Sequence, residues 1–509
     1  MKTLKIIILL YLISFNYGYG QTFDLDLNAT MIKSNGVWKK GSQVHITKFV
    51  HDVRITPNTY GTQSKDVFYL EDDEGNQVEI NSKVDDCFNF EYKNIQDFWD
   101  AGIITNVLYT LKKKGFQYDL RQDMEKDALQ YINELQARGL EFNDPFLNTY
   151  IYSLIAKIAP FQIIDGRPGS INIIIENNPT INAACYPNGT IVLNTGLIAA
   201  LHSEDELVAI LAHEIAHFIL AHSVQNVNEA ISRQKRAEFW GALLTGLTAV
   251  GEAYVATQNR YYIPGAATIG MAAISTSIAS EVIDRLGMNY NHEQEFEADK
   301  FAFNALKILG YDKNALASAL SRLRTEYINE RNNTMYLNSY THPDLIQRIR
   351  RTGSAQDIKD TKFEQIISFA VSSVAMMKYS DRRFRQCLTF VDQNIKNGVA
   401  TADDYILKAN CLLSTKNDVT SNNEVISLIN KAKSLDESNI NIHKTEILAT
   451  LRIGDKNRAL ELLNVYVQTL VSYNLSEIKS DDWWDKMKSF VSSEKVWAKN
   501  MIVKLSGMQ

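Results

Sequence analysis

The sequence predicts an α+β protein, mainly helical: a small β-rich N-terminal module, a helical central domain with a small β-sheet, and a C-terminal α-solenoid. Three observations carry this. Short alternating apolar and polar runs fill residues 35–94, helical apolar spacing sets in at Arg121, and after Asp360 the chain becomes a series of helix pairs. With 509 residues, 45% of them apolar, the chain can bury several cores. Its 53 basic residues against 59 acidic ones, without long single-sign runs, lack the basic footprint of a nucleic-acid binder. Nucleic acid is therefore not an expected partner.

The expected organisation is a leader over 1–20, the β-module over 21–118, the central domain over 119–355 and the repeat domain over 356–509. Lys2 and Lys5 precede an apolar run from Ile6 to Phe15, and the small residues Gly18 and Gly20 follow. Such a run is too short to span a bilayer and has the build of a secretory signal, so an exported protein is expected. No Cys follows the expected cleavage point, which disfavours a lipid anchor there.

The cysteines, Cys87, Cys185, Cys387 and Cys411, are too scattered for a disulfide scaffold or a Cys-x-x-Cys metal site. In an oxidising compartment Cys387 and Cys411 can bridge neighbouring helices or stay as buried thiols.

In the β-module, Val44-His45-Ile46-Thr47 and Val67-Phe68-Tyr69-Leu70 alternate, and Asp72 to Asn76 reads as a hairpin turn. Leu147, Ile151, Leu154, Ile155 and Ile158 then recur at steps of three and four, the period of a helix. Ile171 to Ile175 is an expected strand, and Ala183 to Leu193 an expected hairpin through Tyr186-Pro187-Asn188-Gly189. Glu204 to Val224 reads as one strongly apolar helix, with acids in its first turn that suit a helix N-terminus.

Within that helix lies His213-Glu214-Ile215-Ala216-His217. Four residues turn a helix by about 400°, so both imidazoles leave from one face and can share a metal. Glu214, one step round, can reach a water on that metal and take its proton, as zinc-assisted hydrolysis requires. Burying two His and one Glu in so apolar a helix would be costly without a metal. His222 follows His217 by five residues, which on a continuous helix turns it to another face, so it reads as structural.

A catalytic zinc also needs a third protein ligand. Glu293, Glu295 and Glu297 lie together on a later helix, and spacing does not choose among them: Glu295 shares a face with Asp299, and Glu293 with Glu297.

Taken together, His213-Glu-x-x-His217, Glu295-x-x-x-Asp299 about eighty residues later, and Thr341-His342-Pro343 with Arg348 after it resemble the M48 peptidase family of gluzincins. The stretch from Asn182-Ala183 to Gly196-Leu197-Ile198 resembles that family too, and the likeness covers roughly 145–352. It implies a zincin-type metalloprotease domain with one Zn2+ per chain, held by His213, His217 and Glu295. It also implies Glu214 as general base, Asp299 as support for a ligand His, and His342 facing the metal to stabilise the transition state or to fill its open position. Arg348 would hold that loop or the substrate backbone.

Two apolar stretches, 239–256 and 261–280, follow the metal helix, and the second carries no charge. Its Gly, Ala, Ser and Thr content and Pro264 make it only modestly hydrophobic, so a helical hairpin is expected, buried or making peripheral contact with a membrane through 239–280.

In the C-terminal region the expected pairs are 363–379 with 382–397, 403–415 with 422–435, and 439–452 with 456–470, recurring every 36 residues or so. Ile453 to Ala459 resembles the turn between the helices of a tetratricopeptide repeat, and Trp483, Trp484 and Trp497 lie on a closing helix.

The resemblance to exported, periplasmic M48 members with such repeats implies a metalloendopeptidase of envelope quality control. Its substrates would be polypeptides, and its repeats would dock clients or envelope assembly machinery, in the periplasm or at the outer membrane. The Thr190 to Leu193 strand is expected to offer an edge for an extended peptide. The alternative is a chaperone or scaffold for outer-membrane protein assembly with a latent metal site.

Overall fold

The computed structural model describes residues 17–18, 21–35, 38–55, 63–71, 77–81, 87–106, 116–159, 171–245, 286, 288–331, 345–472 and 482–507. Most of the expected leader, the turn at 72–76, the apolar stretch 261–280 and the Thr341-His342-Pro343 segment lie outside these residues. The chain forms two compact units. The first comprises 1–175, 183–193 and 204–357, and the second comprises 176–182, 194–203 and 358–509.

The first unit opens with an antiparallel sheet of order β5-β4-β3-β2-β6, formed by β2 (Gln21–Met31), β3 (Gln43–Ile55), β4 (Gln63–Glu71), β5 (Gln77–Asn81) and β6 (Phe88–Glu91), with β1 (Tyr17–Gly18) also paired to β3. Strand alternation decides its buried face: Leu27, Ala29 and Met31 point into a core with Ile46, Phe49, Phe68 and Leu70. Helix α1 (Ile95–Asn106) adds Ala101 to that core. The strands flanking 72–76 pair antiparallel from Glu71 opposite Gln77.

Two helices follow, α2 (Phe116–Ala137) and α3 (Pro145–Ile158). Asp144 caps α3 by accepting from the backbone N–H groups of Phe146 and Leu147, and Pro145 suits the first turn, where no N–H partner exists. The residues that α3 buries are the five picked out by helical spacing. A second sheet has the order β7-β9-β8, with β7 at Asn172–Glu176, β8 at Ala183–Cys185 and β9 at Thr190–Asn194. Its β8–β9 hairpin turns at Gly189, whose φ of +82 is left-handed and where a Cβ would come within 3.1 Å of the Phe218 ring.

This order corrects one expectation. β9 is the central strand and has no open edge; β8 is the edge strand packed on the metal helix. Its sequence carries the reason, since Thr190 to Asn194 is buried on both faces and does not alternate as an edge strand with one wet face would.

The metal helix α5 runs from Glu204 to Ile219 and is buried along nearly its whole length. Its first-turn acids tie it to its neighbours. Glu204 accepts from the hydroxyls of Tyr150 and Tyr311, Asp205 accepts the backbone N–H of Asp312, and Glu206 pairs with Arg322 at 2.7 Å. The single helix expected over 204–224 is broken. Ala221 adopts φ +54, and α6 (His222–Thr245) departs at 42°. Among the described residues no single helix is long and apolar enough to cross a membrane.

Helix α7 (His292–Leu309) starts at an Asn291 capping box with Gln294 and ends at Gly310, φ +79. Helices α8 (Ala315–Arg331) and α9 (Leu345–Thr352) complete the described part of this unit.

In the second unit, α4 (Thr195–Ala200) packs on α11 (Ser368–Ser380), which follows the short α10 (Thr361–Ile366). Then α12 (Phe384–Lys396), α13 (Ala402–Thr415), α14 (Val419–Leu435), α15 (Asn441–Arg452), α16 (Lys456–Ser472) and α17 (Asp482–Ser506) each pack on the next. Buried Ala409, Ala432 and Ala459 sit among larger aliphatics and admit close helix approach. Residues 414–423 finish α13 and begin α14, where Asp418 caps the new helix by accepting the Ser421 N–H at 2.8 Å. All four cysteines are free and buried; Cys387 and Cys411 face each other at 3.3 Å between their Sγ atoms.

Candidate metal centre

Helices α5, α7 and α9 bring the site together. On α5 the one-turn spacing puts His213 Nε2 3.0 Å from His217 Nε2. Glu295 of α7 meets both: Oε2 lies 3.6 Å from His213 Nε2, and Oε1 lies 3.4 Å from His217 Nε2. Three donors on a tetrahedral zinc, with bonds of about 2.0–2.2 Å, sit about 3.3–3.5 Å apart. The two ring nitrogens are 3.0 Å apart, and Glu295 sets Oε1 3.4 Å from His217 and Oε2 3.6 Å from His213, so the three side chains converge as ligands of one ion must. Among the described residues this is the cluster of His, Cys, Asp and Glu side chains placed to hold a metal ion.

Asp299 lies one turn beyond Glu295 and faces the other ring nitrogen of His213, Oδ1 to Nδ1 at 3.0 Å. Arg348 of α9, fully buried, grips Asp299 with both ends of its fork, Nε to Oδ2 at 2.8 Å and Nη2 to Oδ1 at 2.7 Å. Its Nη1 pairs with Glu295 Oε2. Burial alone would raise the Asp299 carboxyl, but the Arg348 charge and the hydrogen bonds from Arg348 and His213 outweigh it and hold the group below its ordinary value. Burial drives His217 well below the usual histidine range despite its hydrogen bond to Glu295, so the ring is neutral and able to ligate.

Charge supplies a second test of fit. Buried Glu214, Glu295 and Asp299 carry three negative charges when ionised, against one buried guanidinium. The excess of two in a water-poor site is what a divalent cation neutralises.

Glu214 accepts the Cys185 N–H through Oε2 at 2.9 Å. The edge strand β8 thus orients the glutamate next to the histidines.

The structure brings His213, Glu214, His217, Glu295 and Asp299 into one cluster and resolves the choice that spacing left open, since Glu295 is the glutamate meeting both histidines. Arg348 lies against Asp299 and Glu295, buried beside the candidate ligands. His342 lies outside the described residues.

Two neighbours, His222 and Tyr290, were not legible as site residues. Because α5 stops short of Val224, His222 does not sit on another face of a continuous helix: its Nδ1 is 2.9 Å from His217 Nδ1. Its Nε2 is 3.1 Å from Glu297 Oε2. Tyr290 stacks on the His217 ring at 3.6 Å between centroids. Neither carries a signal in the sequence, since no Gly or Pro marks the helix end before His222 and Tyr290 belongs to no motif.

Comparison with known proteins agrees with this geometry. The family model described as Peptidase family M48 matches residues 145–355. A relative from Vibrio cholerae is 31% identical over 199 residues, 39% of this chain and 37% of its own length. The beta-barrel assembly-enhancing protease of Escherichia coli is 29% identical over 210 residues, 41% of this chain and 39% of its own. A CAAX prenyl protease 1 homolog of Arabidopsis thaliana is 30% identical over 169 residues, 32% of this chain and 37% of its own. The chain thus spans under two fifths of the length of each of these relatives. Residues 145–355 are therefore the part of this chain that is similar to peptidase family M48.

Proposed function

We propose that this chain is an exported zinc metalloendopeptidase that hydrolyses peptide bonds of polypeptide substrates in envelope protein quality control. The observation that carries this reading is the buried His213–His217–Glu295 group with Glu214 beside it. A purely structural metal site needs the three ligands but has no use for the glutamate. The names of the bacterial relatives, beta-barrel assembly-enhancing proteases, support an envelope role in the periplasm or at the outer membrane. The helices over 356–509 are read as tetratricopeptide-like repeats that dock clients or assembly machinery, and 239–280 as a peripheral membrane contact.

His213, His217 and Glu295 hold the zinc, which when bound supplies Lewis acidity and makes hydroxide available at neutral pH. Glu214 takes the proton of the attacking water at its carboxylate and passes it to the leaving amine. The Cys185 N–H holds that carboxylate in place through the exchange. Asp299 keeps the His213 ring turned with Nδ1 toward itself, leaving Nε2 for the metal. An extended substrate adds along β8, an edge strand among the described residues, beside α5, by main-chain hydrogen bonds other than that of the Cys185 N–H. A role for His342 in stabilising the developing oxyanion is carried over from the family motif.

The test compares the mature chain, from Gln21 onward, with Glu214→Gln for zinc content and for cleavage of an unfolded outer-membrane-type protein. Zinc near one per chain in both, with cleavage reduced by about 10²–10⁴ in the variant, is the expected result. Zinc in both with cleavage by neither would favour the chaperone reading, with a latent site.

A further inference from the structure

We propose that His222 and Glu297 are positioning residues for the metal ligand His217: a hydrogen-bond chain from Glu297 through His222 locks His217 in the tautomer and orientation that present Nε2 to the metal. The inference rests on the reading of His213, His217 and Glu295 as the metal site.

The proton positions follow from what each atom can donate. The Glu297 carboxylate only accepts, so the hydrogen bond at 3.1 Å places a proton on His222 Nε2. The tautomer that donates through Nε2 has a bare Nδ1. That nitrogen lies 2.9 Å from His217 Nδ1, and the contact requires the proton to sit on His217. The lone pair of His217 is thereby left on Nε2, the atom 3.0 Å from His213 Nε2 and 3.4 Å from Glu295 Oε1. One chain of donors and acceptors removes the wrong tautomer, which would point a hydrogen at the cation.

The backbone is built for this contact. On a continuous helix a residue five places after His217 would lie about 140° away round the axis. The helix instead ends at Ile219, and Ala221 adopts φ +54, a left-handed conformation that alanine rarely takes. His222 is thus returned beneath His217, fully buried. Gln294 secures it there, donating through Nε2 to Asn226 Oδ1 at 2.8 Å and toward the His222 carbonyl at 3.4 Å. Glu297, on the same helix as Glu295, is largely exposed, so its carboxylate serves no packing role. The two ligand histidines are therefore braced differently: His213 by the buried carboxylate of Asp299, and His217 by an imidazole that relays a carboxylate at the surface.

The experiment uses the full mature chain as wild type, His222→Leu, His222→Gln and Glu297→Ala. Zinc affinity is measured by competition with a chromophoric chelator, and ligand geometry by the visible absorption of the Co2+-loaded protein. His222→Leu is expected to weaken zinc about 10–100-fold and to shift the cobalt bands. His222→Gln, whose amide can accept from His217 and donate to Glu297, is expected to restore most of both. Glu297→Ala is expected to move both readouts in the same direction by less. Wild-type affinity and spectrum in a folded His222→Leu protein overturn the proposal, as does a His222→Gln protein no better than His222→Leu. If His222→Leu fails to fold by circular dichroism, Glu297→Ala decides, and a wild-type affinity in that surface variant overturns the proposal. Absence of zinc binding by the wild type, or its retention in Glu295→Ala, would sink the metal-site reading instead.

Discussion

The two units handle buried polar groups in opposite ways. In the second, they satisfy one another locally: Asn394 Nδ2 donates to Ser372 Oγ, Ser372 donates to Asp404 Oδ1, and Asp404 Oδ2 accepts the Thr401 N–H at the start of α13. Glu494 is matched by Lys444 at 2.7 Å and by the Tyr466 hydroxyl. In the first, buried Glu295 and Asp299 share the single guanidinium of Arg348, and buried Glu214 lies next to the histidines. Helix packing builds both units. What separates a scaffold from a reactive centre here is an excess of buried negative charge, which costs stability unless something external completes it.

The contrast can be broken most sharply at Arg348. In metal-free protein, Arg348→Met leaves Glu295 and Asp299 buried together without a cation, and urea unfolding should show a loss of about 3–5 kcal/mol. A loss under about 1 kcal/mol would mean that the excess charge is not there. The counterpart in the second unit is Leu463→Ala, which removes fully buried aliphatic volume and should cost about 2–5 kcal/mol while zinc affinity stays at its wild-type value. A change in zinc affinity would refute the division of labour.

Zinc itself gives the next effect. At a free concentration one hundred times its Kd it should stabilise the folded protein by about 2.7 kcal/mol, reversibly with chelator and by the same increment in Leu463→Ala.

The smallest effect is in pH. Burial holds His217 well below its ordinary value of 6.5, so on acidification the unfolded chain takes up a proton that the folded one refuses. Stability of the metal-free protein is fully present above pH 6.5 and falls below it, by up to about 1.4 kcal/mol per pH unit from this group. His217→Asn should remove that part of the slope, as followed by thermal unfolding between pH 7 and 5.

Much of the second unit was legible because its determinants are local. Apolar steps of three and four act within one helix or between neighbours in sequence, whereas the Asp418 cap starts its helix at Val419 rather than at the expected 422. The end of α5 was not legible. Leu220-Ala221 contains neither Gly nor Pro, and an alanine at φ +54 gives no warning in the sequence. With that break went the placement of His222.

The order of the second sheet escaped as well, since pairing between β7 and β9 depends on a crossover that apolar patterning does not encode, although the unbroken apolar run of β9 was a usable sign of a central strand. The relation between Glu293, Glu295 and Glu297 is similar: three glutamates on one helix look equivalent until the helix is set against another.

The sequence by itself determined the pairing of His213 with His217, the place of Glu214 beside them and the run of helices after Asp360, because helical geometry fixes relations within a few residues. Only the tertiary structure decided that Glu295 meets both histidines, that Glu297 instead reaches His222, and that Arg348 bridges Asp299 and Glu295. These contacts join groups 49 to 82 positions apart, and the packing angle and rotation of whole helices select them; no periodicity along the chain contains that information.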